Sequence, residues 1–142
     1  MDYGFHEALR VSRDLPMALR AAAILLWFNG LGFGLCCLPG IRNLLTGRDI
    51  PTIFGFPAYG GGPFERAGIP TTVPLLSAFL IVCALEVVAG WLTWQGSSVG
   101  AIAAIVLAAP GAVFWYGFAL PIPPLLAAVR TALIVMSWQD LT

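Results

Sequence analysis

The sequence has no lysine, a single histidine and only 10% charged residues. Its seven basic residues are all arginines, and seven acidic residues balance them, so the formal net charge is zero. Binding to nucleic acid depends on a concentrated basic surface that neutralises phosphates. This composition excludes such a surface, and we expect no nucleic-acid partner.

The scarcity of histidine also limits the chemistry that the chain can support. His6 lies in the N-terminal tail, and a bis-histidine haem within one chain would need a second histidine. A zinc site is not expected for the same reason. No serine is flanked by a plausible base, so the sequence lacks the activated nucleophile that a serine hydrolase needs. The sequence predicts a protein without catalytic residues or a metal site, and it favours a non-enzyme over an enzyme.

Three cysteines are present, Cys36, Cys37 and Cys83, and none belongs to a C-x-x-C motif. A membrane thiol oxidase of the disulfide-relay type would need that motif at a helix end. Buried cysteines usually act as small hydrophobic residues, and this interpretation is favoured. The alternative is that the vicinal pair Cys36 and Cys37 forms a redox site.

Apolar residues are abundant, at 59% of the chain, and the mean hydropathy is +0.89, which is typical of a membrane protein. A helix of about 20 residues spans the hydrocarbon core of a bilayer. Four apolar runs have about this length, and short links make the last three antiparallel neighbours. We therefore predict one domain, residues 1–142, that forms an all-α integral membrane four-helix bundle. Its helices are predicted at residues 18–38, 73–94, 99–118 and 121–138.

The arginines near the first helix set the expected orientation. Three of them precede it and two follow it soon after, namely Arg10, Arg13 and Arg20 before it and Arg42 and Arg48 behind it. Positive residues concentrate on the cytoplasmic side, so both termini are expected in the cytoplasm. The lack of lysine, with abundant Ala, Gly and Pro, fits a GC-rich bacterial gene. We expect a multi-pass protein of the bacterial inner membrane.

The segment 39–72, between the first two helices, would then lie outside the cytoplasm. It contains IFGFPAYGGGPFERAGIP, in which aromatic residues alternate with glycine and proline. The aromatic residues are Phe54, Phe56, Tyr59 and Phe64. They could lie at headgroup depth or cover the outer mouth of the bundle. The segment is predicted to be an ordered connector or, as the alternative, a lid over a ligand site.

Small and aromatic residues predict how the helices pack and where they end. Gly30 and Gly34, and the stripe Gly100, Ala104, Ala108 and Ala112, recur every fourth residue and indicate close helix packing. Tryptophan and tyrosine concentrate at membrane interfaces. Trp94 and Trp138 are therefore predicted at one interface, and Trp115 and Tyr116 at the other.

Glu86 lies within the apolar segment LEVVAGWLTWQG, and Arg130 lies within LLAAVRTALIVM. Measured from the middle of their runs, the two differ in depth by roughly 4 to 5 Å. Asn29 is a third polar group near mid-membrane. Buried charges in a membrane usually pair, and they are functional candidates by default. Two interpretations remain open: a structural ion pair, or a ligand or proton site formed by Glu86, Arg130 and Asn29.

The segment Leu85–Gly96 resembles the E-x-x-x-G-x-L-x-x-x-G core of the DoxX-like family of small four-helix bacterial membrane proteins. The resemblance covers the second helix and the four-span layout. It implies that Glu86 is the polar position and Gly90 the close-packing position of that helix. Some members resemble small subunits of quinone-linked sulfur oxidation systems or act with thiol-stress components. The resemblance thus implies a redox-associated membrane subunit.

Two functions follow from these observations. The favoured one is a non-enzymatic membrane component that binds a lipid, a quinone or a partner membrane protein in a bundle interior containing Glu86 and Arg130. The alternative is a small transporter or channel that uses Glu86 as a proton or ion site. Four helices leave little room for a pathway, and no transporter-type half-repeat is visible. A transporter or channel would therefore be expected to form its pathway as a homo-oligomer.

Overall fold

The computed structural model describes residues 4, 6, 15–53 and 55–142, so the predictions that involve Arg10, Arg13 and Phe54 lie outside the described residues. Most of the described chain is helical. In chain order the elements are α1 (Met17–Leu45), β1 (Thr52–Ile53), β2 (Phe56–Pro57), α2 (Pro63–Arg66), α3 (Val73–Trp94), α4 (Ser98–Gly117), α5 (Ile122–Met136) and a final 3-10 turn (Trp138–Asp140). The two short strands pair in antiparallel fashion.

Helix α1 is longer than predicted, because it continues through Pro39 to Leu45. The predicted end at residue 38 is wrong. Proline removes one backbone donor from the helix, but it does not prevent the following residues from remaining helical. The helix ends instead at Leu45, two residues before Gly47, whose φ is +70°. The amide of Arg48 donates to Asn43 O at 2.8 Å. This is a Schellman motif, so the segment between α1 and α3 begins at Thr46. We call residues 46–72 the cap.

The four long helices pack as an antiparallel ring. Helix α1 lies between α3 and α5, and α4 closes the ring on the other side, with fewer contacts to α5 than to α3. Thr142 N–H donates to Gly96 O at 2.9 Å, and Leu15 packs against Gly96. The chain's C-terminus, the α3–α4 turn and the start of α1 therefore share one end of the bundle. Helices α3 and α5 run parallel across the diagonal.

Glycines allow α1 and α3 to approach closely, as the small-residue pattern predicts. A Cβ atom at Gly30 would lie 2.6 Å from Cys83 O, and one at Gly90 would lie 2.8 Å from the Trp27 ring. The stripe on α4 packs only along its first half, since Ala104 is buried but Ala112 is exposed. Close backbone approach is the usual role of such residues in membrane helices.

The outer surface of the bundle is apolar, and its polar side chains are concentrated inside. Three helices, α1, α3 and α4, are long and apolar enough to cross a membrane, which identifies the chain as a membrane protein. Helix α5 has 15 residues and is about 22 Å long. Large apolar side chains exposed on the four helices include Ile24, Phe28, Leu31, Leu35, Ile81, Val88, Val106, Val113, Leu125 and Val129.

One of the predicted interfacial aromatic residues faces the inside of the bundle. Trp115 is only 3% exposed, and its ring lies 5.9 Å from the guanidinium carbon of Arg130. The Trp115 ring therefore faces a buried cation inside the bundle and not the lipid. Its predicted depth at a membrane interface stays a prediction. The next residue, Tyr116, is 76% exposed, as an interfacial residue would be.

Candidate functional site

An ion pair lies at the centre of the bundle. Arg130 Nη1 on α5 is 2.8 Å from Glu86 Oε1 on α3, and the two side chains are 0% and 1% exposed. The contact is close, but it lacks the alignment of a hydrogen bond. The similar depth of the two residues in the sequence thus correctly predicts their contact.

Two further contacts extend the pair to all four long helices. Asn29 Nδ2 on α1 donates to Glu86 Oε2 at 2.9 Å. Arg130 Nη2 donates to the carbonyl of Ala104 on α4 at 3.3 Å. We call Asn29, Glu86, Arg130 and the Ala104 carbonyl the polar network. Each long helix contributes one member, so the network fixes the rotation of the helices relative to one another.

Four buried polar atoms of the network have no hydrogen-bond partner among the described residues. Glu86 Oε1 and Arg130 Nη1 face each other in the ion pair, which leaves Asn29 Oδ1 and Arg130 Nε. Asn29 is 1% exposed, so bulk solvent does not reach it. Buried polar atoms of this kind commonly bond to an internal water molecule.

Burial of an ion pair costs desolvation energy that its Coulombic attraction only partly offsets. The pair is therefore a poor source of net stability, whereas loss of one partner would leave an uncompensated buried charge. In chemical terms the network can hold helices in register, or it can hold a proton on Glu86. Its side chains are packed between helices, and none of the three lines either of the two cavities described below.

No disulfide joins the cysteines in this structure, and the redox role of Cys36 and Cys37 stays a prediction. Cys36 is exposed, whereas Cys37 and Cys83 are buried, and all three are free thiols. Cys36 and Cys37 are consecutive within α1. Consecutive Cα atoms lie about 3.8 Å apart, which is shorter than the ~4.4 Å minimum usual for a disulfide. A bond between them would require local unwinding of the helix. The described residues include no group of histidine, cysteine and acidic side chains placed to hold a metal.

The cap folds against the end of the bundle opposite the chain's C-terminus. Tyr59 is buried, and its hydroxyl donates to Phe33 O on α1 at 2.6 Å. Thr71 Oγ1 donates to Tyr59 O at 2.6 Å. Burial raises the pKa of the Tyr59 phenol above its ordinary value. Tyr59 therefore stays a neutral hydrogen-bond donor at physiological pH.

Aromatic rings join the cap to the helix ends. The Phe64 ring lies 5.3 Å from that of Phe118, at the end of α4, and the Tyr59 ring lies 5.3 Å from the same phenylalanine. Phe79 on α3 continues the cluster, at 5.6 Å from Phe118. Edge-to-face packing of this kind adds to the hydrophobic contribution of the rings. The cap is an ordered part of the fold.

A cavity of about 520 Å³ lies between the cap, α1 and the α4–α5 turn. We call it the cap cavity. It is half open, and no charged side chain lines it; the lining residues are Phe33, Cys36, Pro57, Ala58, Tyr59, Gly60, Gly61, Phe118, Ala119 and Leu120. Among the described residues, two that are not glycine have positive φ, Tyr59 at 60° and Ala119 at 55°, and both line it. Strained backbone of this type is often found at ligand sites.

Sequence patterns predict the polar network but not the cap cavity. The network consists of rare polar residues within apolar runs, and these stand out in a membrane sequence. The cavity is formed by ordinary apolar residues from three separate segments. Only the aromatic and glycine-rich composition of the cap indicated that this region was unusual.

Comparison of the chain with protein-family models, curated proteins and solved structures finds no match. The resemblance of Leu85–Gly96 to the DoxX-like family therefore stays a prediction. The structure gives each of the two positions that the resemblance implies a role in helix packing. Glu86 is the buried polar residue of α3, and Gly90 allows close contact with Trp27.

Proposed function

We propose that this chain is a non-enzymatic protein of a bacterial inner membrane that holds a neutral hydrophobic molecule in the cap cavity. The cavity carries the proposal. Ligand sites commonly have volumes of about 300 to 1,000 Å³ and mainly apolar walls with a few polar groups, and the cavity of about 520 Å³ falls in this range. A lining without charged side chains favours a neutral ligand over an anionic one.

The ligand class that we propose is a quinone or a neutral lipid. Phe33, Tyr59 and Phe118 offer aromatic surface to a ring or an isoprenoid chain, and Cys36 supplies a weak polar group at the wall. The DoxX-like resemblance, with its quinone-linked members, supports the same choice. It also supports a partner membrane protein that would deliver or receive the ligand.

In this proposal the polar network is a structural element and the cap cavity is the functional one. Asn29 and Arg130 each contact Glu86, and all three side chains are buried, so a hydrophobic ligand has no access to them. Their role is to hold the four helices in one arrangement. That arrangement positions the α4–α5 turn and α1 as two walls of the cavity.

The proposed topology has four spans, with both termini in the cytoplasm and the cap outside. The apolar surface of α5 supports a fourth span, and a short hydrophobic helix can be accommodated by local bilayer thinning. Single cysteines in a variant lacking Cys36, Cys37 and Cys83 test this topology. We expect Ala67→Cys to react with a membrane-impermeant maleimide in intact cells, and Gln139→Cys to react only after permeabilisation. The reverse pattern would refute the orientation.

A pair of substitutions on α1 tests the ligand site. Cys36 lines the cap cavity, whereas the preceding residue, Leu35, is 60% exposed and does not line it. Cys36→Phe should fill the cavity, and Leu35→Phe should only change the lipid-facing surface. We expect photocrosslinking of a diazirine-bearing prenylated quinone to fall about tenfold in Cys36→Phe, which corresponds to ~1.4 kcal/mol of binding free energy. Equal crosslinking of both variants, with unchanged melting temperatures, would exclude the cavity as the site.

The second candidate function is proton or ion transport through a homo-oligomer with Glu86 as the carrier. The observation that favours it is that Asn29 Oδ1 and Arg130 Nε are buried without a hydrogen-bond partner and are not the atoms of the ion pair, so water could enter there. Proton flux into liposomes containing the purified protein tests it. Transport requires that Glu86→Gln abolishes the flux while Glu65→Gln, a change of an exposed carboxylate, leaves it intact. Absence of any flux in the unmodified protein would exclude this function.

A further inference from the structure

A second, shallower groove lies on the outer surface beside the cap. It has a volume of about 340 Å³ and lies between α2 and the α4–α5 turn. Its lining includes Arg66, Trp115, Tyr116, Leu120 and Pro124. We call it the Arg66 groove. Its walls are apolar and aromatic except for Arg66 and the exposed Tyr116, which provide hydrogen-bond donors.

Arg66 is available to bind an anion. Its side chain is exposed, and within the described part of the chain no ion pair includes it. The neighbouring carboxylate, Glu65, is engaged elsewhere, because its Oε2 accepts a hydrogen bond from Gly61 N–H at 2.8 Å. Guanidinium groups bind phosphate oxygens through paired, charge-assisted hydrogen bonds.

The depth of the groove matches that of lipid headgroups. Helix α4 is one of the three helices able to span a membrane, and Trp115 and Tyr116 belong to its last turn. The end of a spanning helix lies at the interface, where phospholipid phosphates are found. Tyr116 is 76% exposed, so its hydroxyl can reach the same region.

We propose that the Arg66 groove binds one anionic phospholipid. Arg66 holds the phosphate, Tyr116 donates a second hydrogen bond to the headgroup, and an acyl chain lies along Leu120 and Pro124. The single cation of the groove complements a headgroup with net negative charge better than a zwitterionic one. This site does not depend on a ligand in the cap cavity, although Ala119 and Leu120 line both.

Native mass spectrometry of the detergent-solubilised protein tests the proposal with added phosphatidylglycerol, phosphatidylcholine or inorganic phosphate. We expect phosphatidylglycerol to bind more tightly than phosphatidylcholine, and inorganic phosphate alone not to be retained. Arg66→Gln should weaken phosphatidylglycerol binding about tenfold, which corresponds to ~1.4 kcal/mol, and Tyr116→Phe should weaken it less. The matched control is Arg48→Gln, which removes the same charge from an exposed cap residue outside the groove.

Unchanged affinity in Arg48→Gln would support a specific site at Arg66. Equal losses in Arg48→Gln and Arg66→Gln would overturn the proposal, because they would indicate general attraction between the cap and anionic lipid. Equal binding of both phospholipids would also overturn it. Retention of inorganic phosphate as tightly as phosphatidylglycerol would show an anion site that does not recognise lipid. Melting temperatures of the variants show whether each remains folded.

Discussion

Arg130 Nη1 and Glu86 Oε1 lie 2.8 Å apart, although their helices, α5 and α3, occupy opposite corners of the bundle. The close backbone contacts of the bundle are between neighbouring helices, and the diagonal pair α3 and α5 has few of them. A contact across the diagonal fixes the rotation of both helices at once. Apolar packing alone has no equivalent directional requirement.

The first prediction concerns the coupling between these two charges. Glu86→Gln should lower the free energy of unfolding by about 3 kcal/mol, because it leaves the Arg130 guanidinium buried without an anion. The double variant Glu86→Gln with Arg130→Met should recover much of that loss, since no buried charge then remains. Unfolding in mixed micelles of increasing denaturing detergent measures all three proteins.

Asn29→Leu is the control for the network. It removes only the hydrogen bond to Glu86 Oε2, and a bond to a charged group contributes about 1.5 to 3 kcal/mol. Asn29→Leu should therefore lower the free energy of unfolding by less than Glu86→Gln does. If the single charge variant and the double variant were equally unstable, the two side chains would not be coupled.

The second prediction tests the close approach of α1 and α3. Gly30→Ala should destabilise the protein by about 1 to 3 kcal/mol, because its new Cβ would lie 2.6 Å from Cys83 O. Gly32→Ala is the matched control, since Gly32 has no neighbouring atom within 4 Å of the corresponding position. Alanine favours the helix over glycine by about 1 kcal/mol, so the control should be neutral or stabilising. Thermal unfolding in detergent distinguishes the two results.

The third prediction is that the stability of the cap decreases at alkaline pH. Burial raises the pKa of the Tyr59 phenol above the ordinary value of 10.0, so the folded protein holds this proton more tightly than the unfolded chain. The resulting stability is fully present below that ordinary value and decreases as the pH rises above it. Proteolysis at Arg48 and Arg66 should therefore remain slow near neutral pH and accelerate in strongly alkaline buffer.

Tyr59→Phe and Tyr116→Phe separate this effect from general alkaline unfolding. Tyr59→Phe loses the hydrogen bond to Phe33 O, so its cap should be less stable by about 0.5 to 1.5 kcal/mol at neutral pH. It should also lose the Tyr59 contribution to the alkaline change. Tyr116 is exposed, so Tyr116→Phe should keep the full pH dependence. An unchanged alkaline profile in Tyr59→Phe would contradict the assignment.

The sequence was most informative where a residue conflicts with its surroundings. Glu86 and Arg130 are charges in apolar runs, and helical rise alone indicates that they lie at similar depth. The end of α1 could not be located in the same way. The predicted end at residue 38 lies just before Pro39, but the geometry that ends the helix depends on Gly47 and the carbonyls of the preceding turn.

The position of Trp115 and the cap cavity depended on tertiary packing. A tryptophan near the end of a spanning helix is usually interfacial, yet Trp115 covers Arg130 because α5 brings that cation across the bundle. The cavity arises where the cap crosses α1 and the α4–α5 turn. No local pattern of hydrophobic residues specifies the space between three segments that are far apart in the sequence.

The last prediction concerns the backbone strain at the cavity wall. Ala119 has a φ of 55°, a left-handed conformation that costs a residue with a Cβ about 1 to 2 kcal/mol. Ala119→Gly should relieve this strain and raise the melting temperature, whereas Ala109→Gly, at an exposed position inside α4, should lower it. If Ala119 also shapes the ligand site, Ala119→Gly should bind the prenylated quinone probe less tightly, because the turn would be less rigid. This weaker binding is expected even though the variant is more stable. Lower stability of Ala119→Gly would show that the left-handed turn is not a source of strain in the folded protein.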